Sequence, residues 1–212
     1  MRTKKFELTG KCNLSCEACY NKNMLKSFRD IDIKDILERI SEGNTVYIGG
    51  GEPMIHPKIQ EITQRLVEIP TEVVISTNGI IYKKMPLETQ IQISVWTLNQ
   101  RLYKEILNGT ERQFLESDEN TGRYISDGNS VFLNMPVYKK NFMEIDDISD
   151  YADSLNIPLR INLLFPANGF SVDSNLERKI ENSVLKLKLS GRNIIYSGKK
   201  KQIVERFYNM TH

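Results

Sequence analysis

All three of the chain's cysteines fall within one eight-residue stretch, Cys12, Cys16 and Cys19 of TGKCNLSCEACY. An odd number of thiols packed this closely cannot staple distant segments as disulfides, and it fits a reducing compartment. The loop that carries them must therefore fold around something other than a disulfide, and three clustered thiolates point to metal. They can hold three corners of a cubic iron–sulfur cluster and leave the fourth iron open to a small molecule, whereas full protein ligation marks structural or electron-transfer sites. A Cys3His zinc site completed by His56 is the second ligand set that the residues allow.

Around this loop, short β-rich runs alternate with helical patterns, the signature of βα units on a parallel sheet. Lys5–Leu8 reads as the first strand and leads straight into the cysteines. Further strands are expected at Val46–Ile48, Glu72–Ser76, Ile91–Val95, Val131–Val137 and Leu159–Leu164. Apolar spacing predicts helices over Ile33–Ser41, from Pro57 through Ile69, over Asn99–Leu107, from Ile145 to Leu155, and over Leu176–Leu189. The polar stretch 110–130 reads as a helix plus a mobile loop, and the tail beyond Leu189 has no clear pattern. Six strands fit an α/β fold of the partial (β/α)6 barrel type. One domain over residues 1–212 is expected, with the barrel at about 5–166 and a helical or irregular extension at 167–212.

Composition narrows the function classes. The chain has 212 residues, 40% hydrophobic and 26% charged, with a net charge of +2. No basic face marks a nucleic-acid footprint, and the run Lys199-Lys200-Lys201 reads as a solvated turn. No stretch approaches transmembrane length, so no membrane partner is expected and the location reads as cytoplasmic. The two histidines, His56 and His212, come with no nucleophile motif, which argues against a Ser-His-Asp or Cys-His hydrolase.

Beyond the cysteines, Gly49-Gly50-Gly51-Glu52-Pro53 follows the second strand, Thr77-Asn78-Gly79 closes the third, and Ser94 lies in the fourth. With the cysteine triplet, this ordered set resembles the radical S-adenosylmethionine (SAM) enzyme family. The resemblance spans roughly Lys5 to Pro166 and implies a partial barrel. It also implies a [4Fe–4S] cluster on Cys12, Cys16 and Cys19, and SAM chelating the open iron through its amino nitrogen and carboxylate. One electron from a reducing partner such as flavodoxin or ferredoxin then releases methionine and a 5′-deoxyadenosyl radical. That radical takes hydrogen from a small-molecule or peptide substrate.

The resemblance also suggests individual roles. The carbonyls of Gly50, Gly51, Glu52 and Pro53 would meet the SAM ammonium; as residue types, glycines let the main chain approach a ligand. Ser94 and Asn78 are candidates for the SAM carboxylate and ribose, Asn134 for the ribose, and the backbone at Leu163–Leu164 for adenine. Ser76, Thr77 and Asn162 belong with them at the C-terminal strand ends. Tyr20 follows the third cysteine, where the family commonly has an aromatic residue one position before it, at Ala18. Asn108-Gly109 stands where many relatives have Arg-Gly, leaving Arg112, Arg123 and Arg160 as possible replacements. With every cysteine used, no auxiliary cluster is expected. Trp96 reads as a cavity or packing residue, and Glu52, Asp127, Tyr138 and Lys139 as unranked proton carriers. Two alternatives stand beside a metabolite- or peptide-modifying enzyme: an activase that installs a glycyl radical on a partner enzyme, and a non-catalytic metal-binding protein.

Overall fold

A computed structural model describes residues 2–19, 29–164 and 172–197. The chain divides into two units, Met1–Ile93 with Lys104–Val131, and Ser94–Tyr103 with Phe132–His212. Both are built from parallel strands alternating with helices, the α/β class that the sequence pattern predicts.

In the first unit β1 (Thr3–Glu7), β2 (Thr45–Gly49), β3 (Glu72–Thr77) and β4 (Thr89–Ser94) lie side by side in chain order. Ser94 alone of these residues falls in the second unit. Side chains alternate across a strand, and burial follows that period. Phe6, Leu8, Val46, Ile48, Val73, Ile75, Ile91 and Ile93 are buried. They form the core with α1 (Ile33–Leu37) and α2 (Ile59–Val67), whose Ile36, Ile59, Ile62 and Leu66 are fully buried. The opposite face is mostly polar: Lys5 is exposed, and Glu7, Tyr47 and Ser76 are half-buried.

α3 (Gln100–Leu107) leads into α4 (Glu111–Ser126), which fills most of the stretch expected to hold a helix plus a mobile loop. The helix starts where Thr110 accepts a bond from the Gln113 N–H while the Gln113 side chain accepts from the Thr110 N–H, a reciprocal cap. Its inner face is polar. Asn120 donates to the carbonyls of Gly79 and Ile80, and Ser117 donates to that of Asn78. Apolar periodicity could not find a helix that docks through amides and hydroxyls.

In the second unit β5 (Ser130–Val137), β6 (Leu159–Leu163) and β7 (Ile194–Ser197) are parallel and in chain order, the first two residues of β5 belonging to the first unit. α5 (Ile145–Ser154) packs on β6 and on α6 (Ser174–Leu189), and α6 packs on β7. The seventh strand exceeds the six expected. It is only four residues long and enters through Gly191, at φ +86°, and Arg192, held by Asp150 at 2.5 Å and Asp153 at 2.7 Å. So short a run carries too little alternation to be read from sequence. Among the described residues no helix is long and apolar enough to cross a membrane.

Candidate cofactor site

The three motifs singled out in the first half of the sequence meet at the C-terminal ends of β1, β2 and β3. The β1–β2 ladder runs past its last pair, with the Leu8 N–H donating to Gly49 O at 2.8 Å. It then continues into the loops: Gly51 N–H donates to Thr9 O, and Glu52 N–H to Lys11 O, both at 2.8 Å. A Cβ on Gly51 would lie 2.2 Å from Lys11 O, and one on Gly50, at φ +135°, would lie 2.5 Å from Thr9 O. Contacts that short do not occur, so these two glycines are required by the cysteine loop lying on them. The sequence reading gave their freedom to a ligand; the structure first uses it for the chain's own loop.

Glu52 joins this pair of loops to β3. It is 1% exposed, and its carboxylate accepts from Met54 N–H at 3.0 Å, Thr77 Oγ1 at 2.6 Å and Asn78 N–H at 2.8 Å. Burial raises its pKa, against the pull of those bonds from Asn78, Thr77 and Met54. Its side chain therefore works as a tie between strand ends, and the proton-carrier role considered for it has no geometric support here. Asn78, just past β3, donates from Nδ2 to Asn13 Oδ1 at 2.7 Å, and Gln113 of α4 donates to Asn13 O at 3.1 Å. On the far side Ser15 N–H reaches Leu107 O at 3.3 Å and Glu17 N–H reaches Ile106 O at 2.9 Å. At the loop's start Asp30 accepts from Thr9 Oγ1 at 2.6 Å and Lys11 Nζ at 3.1 Å, which lowers its pKa. Asn13, Asp30 and Gln113 were not singled out from the sequence. Only Asn13, inside the cysteine motif, carried any signal there.

No disulfide joins the three cysteines; Cys12 is exposed and Cys16 and Cys19 are half-buried. Partial desolvation of its sulfur raises the Cys12 pKa, while the backbone N–H groups of Leu14 and Asn13 pull it down and Glu52 and Cys19 push it up. Among the described residues no group of three or more His, Cys, Asp or Glu side chains converges as a metal site. The three cysteines are included in that statement, and His56, the further ligand of the Cys3His zinc set, is 4% exposed with Nδ1 accepting from Lys58 N–H at 3.2 Å. The donor chemistry fits an iron–sulfur cluster: three cysteines outside any disulfide on one anchored loop, beside a polar strand-end framework.

Other expected positions divide between the units. Ser76 accepts from Gln92 Nε2 at 2.7 Å in the first. Ser94, Asn134 and Leu164 belong to the second, where Asn162 donates to Asn134 Oδ1 and Leu164 N–H donates to Val137 O at 2.9 Å. Trp96 meets Tyr138 edge-on, ring centroids 6.1 Å apart; Tyr138 is 1% exposed, a packing role. Arg112 pairs with Glu116 at 2.8 Å, Arg123 lies 5.6 Å from the Tyr82 ring centroid, and Arg160 lies 4.6 Å from that of Phe132. Asp127 accepts from the Tyr82 hydroxyl, and Lys139 is exposed. Tyr20, Pro166, Lys199–Lys201 and His212 lie outside the described residues.

The family model described as the Radical SAM superfamily matches residues 6–152, and the chain belongs to that family. A Methanocaldococcus jannaschii protein whose name describes it as a glycyl-radical enzyme activating enzyme is 27% identical over 195 residues, 85% of this chain and 74% of that protein. The antilisterial bacteriocin subtilosin biosynthesis protein AlbA of Bacillus subtilis is 27% identical over 163 residues, 71% of this chain and 36% of AlbA. Among solved structures, Streptococcus suis SuiB bound to its precursor peptide SuiA superposes with a TM-score of 0.75 at 18% identity. That match takes in 92% of this chain and 48% of SuiB, and SuiB has also been solved with S-adenosylmethionine bound. The chain therefore spans about half the length of SuiB and shares the fold of that region, the partial-barrel core of radical SAM structures. The family uses a [4Fe–4S] cluster and SAM.

Proposed function

We propose that this chain is a radical SAM enzyme in which Cys12, Cys16 and Cys19 hold a [4Fe–4S] cluster, and that it acts on a small metabolite or a peptide. The observation that carries this reading is the locking of the cysteine loop onto Gly50–Glu52 and, through Glu52 and Asn78, onto the end of β3. When bound and reduced, the cluster supplies the electron that splits SAM into methionine and a 5′-deoxyadenosyl radical.

The chain's own residues supply position. Gly51 and Glu52 donate their N–H groups to the loop, and the Glu52 carbonyl accepts from Ile55 N–H at 3.1 Å, so the Gly51 carbonyl is the one of the two proposed for the SAM amino group. Asn78 and Ser76 place an amide and a hydroxyl at the β3 end, and Ser94, Asn134 and Leu164 are the corresponding groups of the second unit. A low-potential protein such as flavodoxin or ferredoxin is the expected reductant, and three cysteines outside any disulfide fit a cytoplasmic setting. A second reading, an activase for a glycyl-radical enzyme, is favoured by the M. jannaschii relative, of which the match covers 74%.

The test is anaerobic reconstitution, reduction with dithionite and addition of SAM. Equal amounts of 5′-deoxyadenosine and methionine are expected from the native protein and none above background from Cys16→Ala. Intact SAM in the presence of a fully loaded, reduced cluster would contradict the proposal.

A further inference from the structure

A recess of about 560 Å³ opens in the first unit beside the N-terminal end of β1. Arg2, Lys4 and Lys5 border it on the strand side, and Glu38, Arg39 and Asn44 border it after α1. Side chains alternate along a strand, so Lys5 points to the other face, where its Nζ lies 6.0 Å from the Tyr47 ring centroid. Arg2 and Lys4 share the side of Phe6, which is buried against the helices, and Arg39 meets the same recess from the end of α1. The main chain fixes both sides. Arg2 O accepts from Thr45 N–H at 3.3 Å, Arg39 N–H donates to Ile36 O at 3.0 Å, and Asn44 Oδ1 accepts from Ser41 N–H at 3.1 Å.

The charge around the recess is unanswered. Elsewhere in this unit exposed cations meet carboxylates, Lys11 with Asp30 at 3.1 Å, Arg65 with Glu68 at 3.1 Å and Arg112 with Glu116 at 2.8 Å. Arg2, Lys4 and Arg39 form no ion pair with a described residue, and Glu38, the carboxylate of the lining, pairs with none of them. Like charges gathered around one space repel, and an anion placed between them replaces that repulsion with attraction.

We infer that this recess binds a phosphate-bearing small molecule, with Arg2, Lys4 and Arg39 holding the phosphate. A phosphate near neutral pH carries close to two negative charges and three strong acceptor oxygens, and each guanidinium can take two oxygens at once. A carboxylate would bring one charge and two oxygens, and would leave more of the cluster unanswered. The volume lies within the roughly 300–1,000 Å³ of small-molecule sites. The recess is also remote from the cysteine loop: Arg2 and Leu8 stand at opposite ends of β1, about 20 Å apart at roughly 3.3 Å per residue. It is therefore a second site, and it does not depend on the chemistry proposed for the first.

The test is calorimetric titration of the cluster-loaded protein with pyrophosphate and with ribose 5-phosphate, under anaerobic conditions and at fixed ionic strength. Saturable binding of at least one of the two is expected. Lys4→Gln and Arg39→Gln should each weaken it about ten-fold or more, the scale of a hydrogen bond to a charged group. Both side chains reach solvent, so the melting temperature of each variant should match the native one. Arg65→Gln removes a cation outside the recess and should leave the affinity unchanged. Tighter binding of ribose 5-phosphate would support the site with an organic phosphate as occupant, and tighter binding of pyrophosphate would support it with an inorganic one. No saturable binding of either, an affinity indifferent to Lys4→Gln and Arg39→Gln, or an equal loss in Arg65→Gln would overturn the inference.

Discussion

Glu52 is a carboxylate with almost no contact with water, and its three hydrogen-bond donors do not offset the desolvation that raises its pKa. For an acid whose folded value lies above the unfolded one, the destabilisation is absent below the unfolded pKa, grows as pH rises towards the folded pKa, and is constant above it. Glu52→Gln carries no titrating group there. The native protein's stability relative to this variant should therefore rise as pH falls from neutrality, which urea denaturation of both proteins at several pH values would read. A difference that stays flat or moves the other way would refute the assignment. The neighbouring glycines give a steric counterpart. Gly51→Ala forces a Cβ to within 2.2 Å of Lys11 O unless the loop moves. An expected loss of about 1–3 kcal/mol, the range for overpacking, should appear in denaturation together with reduced iron uptake on reconstitution.

At the scale of elements, α4 shows how a helix can be specified without an apolar stripe. The reciprocal cap at Thr110 and Gln113 starts it, and Ser117 and Asn120 dock it on the turn after β3. Thr110→Ala should cost about 1 kcal/mol through the lost cap. Gly122 lies within this helix, and a Cβ there meets nothing within 4 Å. Gly122→Ala should stabilise the protein by up to about 1 kcal/mol, raising the melting temperature by about 2–4 °C for a chain of this size. A lower melting temperature would show that the open space is used by something else. The cap is present in the sequence as Thr-x-x-Gln, but the residues after it are polar, so the helix's full length has no apolar period to mark it. β7 was lost for the opposite reason: its Ile194 and Ile195 are apolar, but four residues are too few to show a period.

For the molecule as a whole, the first half was the more legible. Its cysteine triplet, glycine loop and Thr-Asn-Gly turn are contiguous motifs at strand ends, so their order carried both the fold and the site. The ties that hold them together join residues far apart in sequence, such as Asn13 with Asn78 and Gln113, or Thr9 with Asp30. No local pattern announces such pairs. The central claim is that Cys12, Cys16 and Cys19 hold a cluster with one iron open to SAM. Electron paramagnetic resonance of the reconstituted, reduced protein before and after adding SAM tests it most directly. The expected result is a [4Fe–4S] signal that changes when SAM is added and is lost in Cys16→Ala. A signal indifferent to SAM, or one that survives the loss of Cys16, would contradict it.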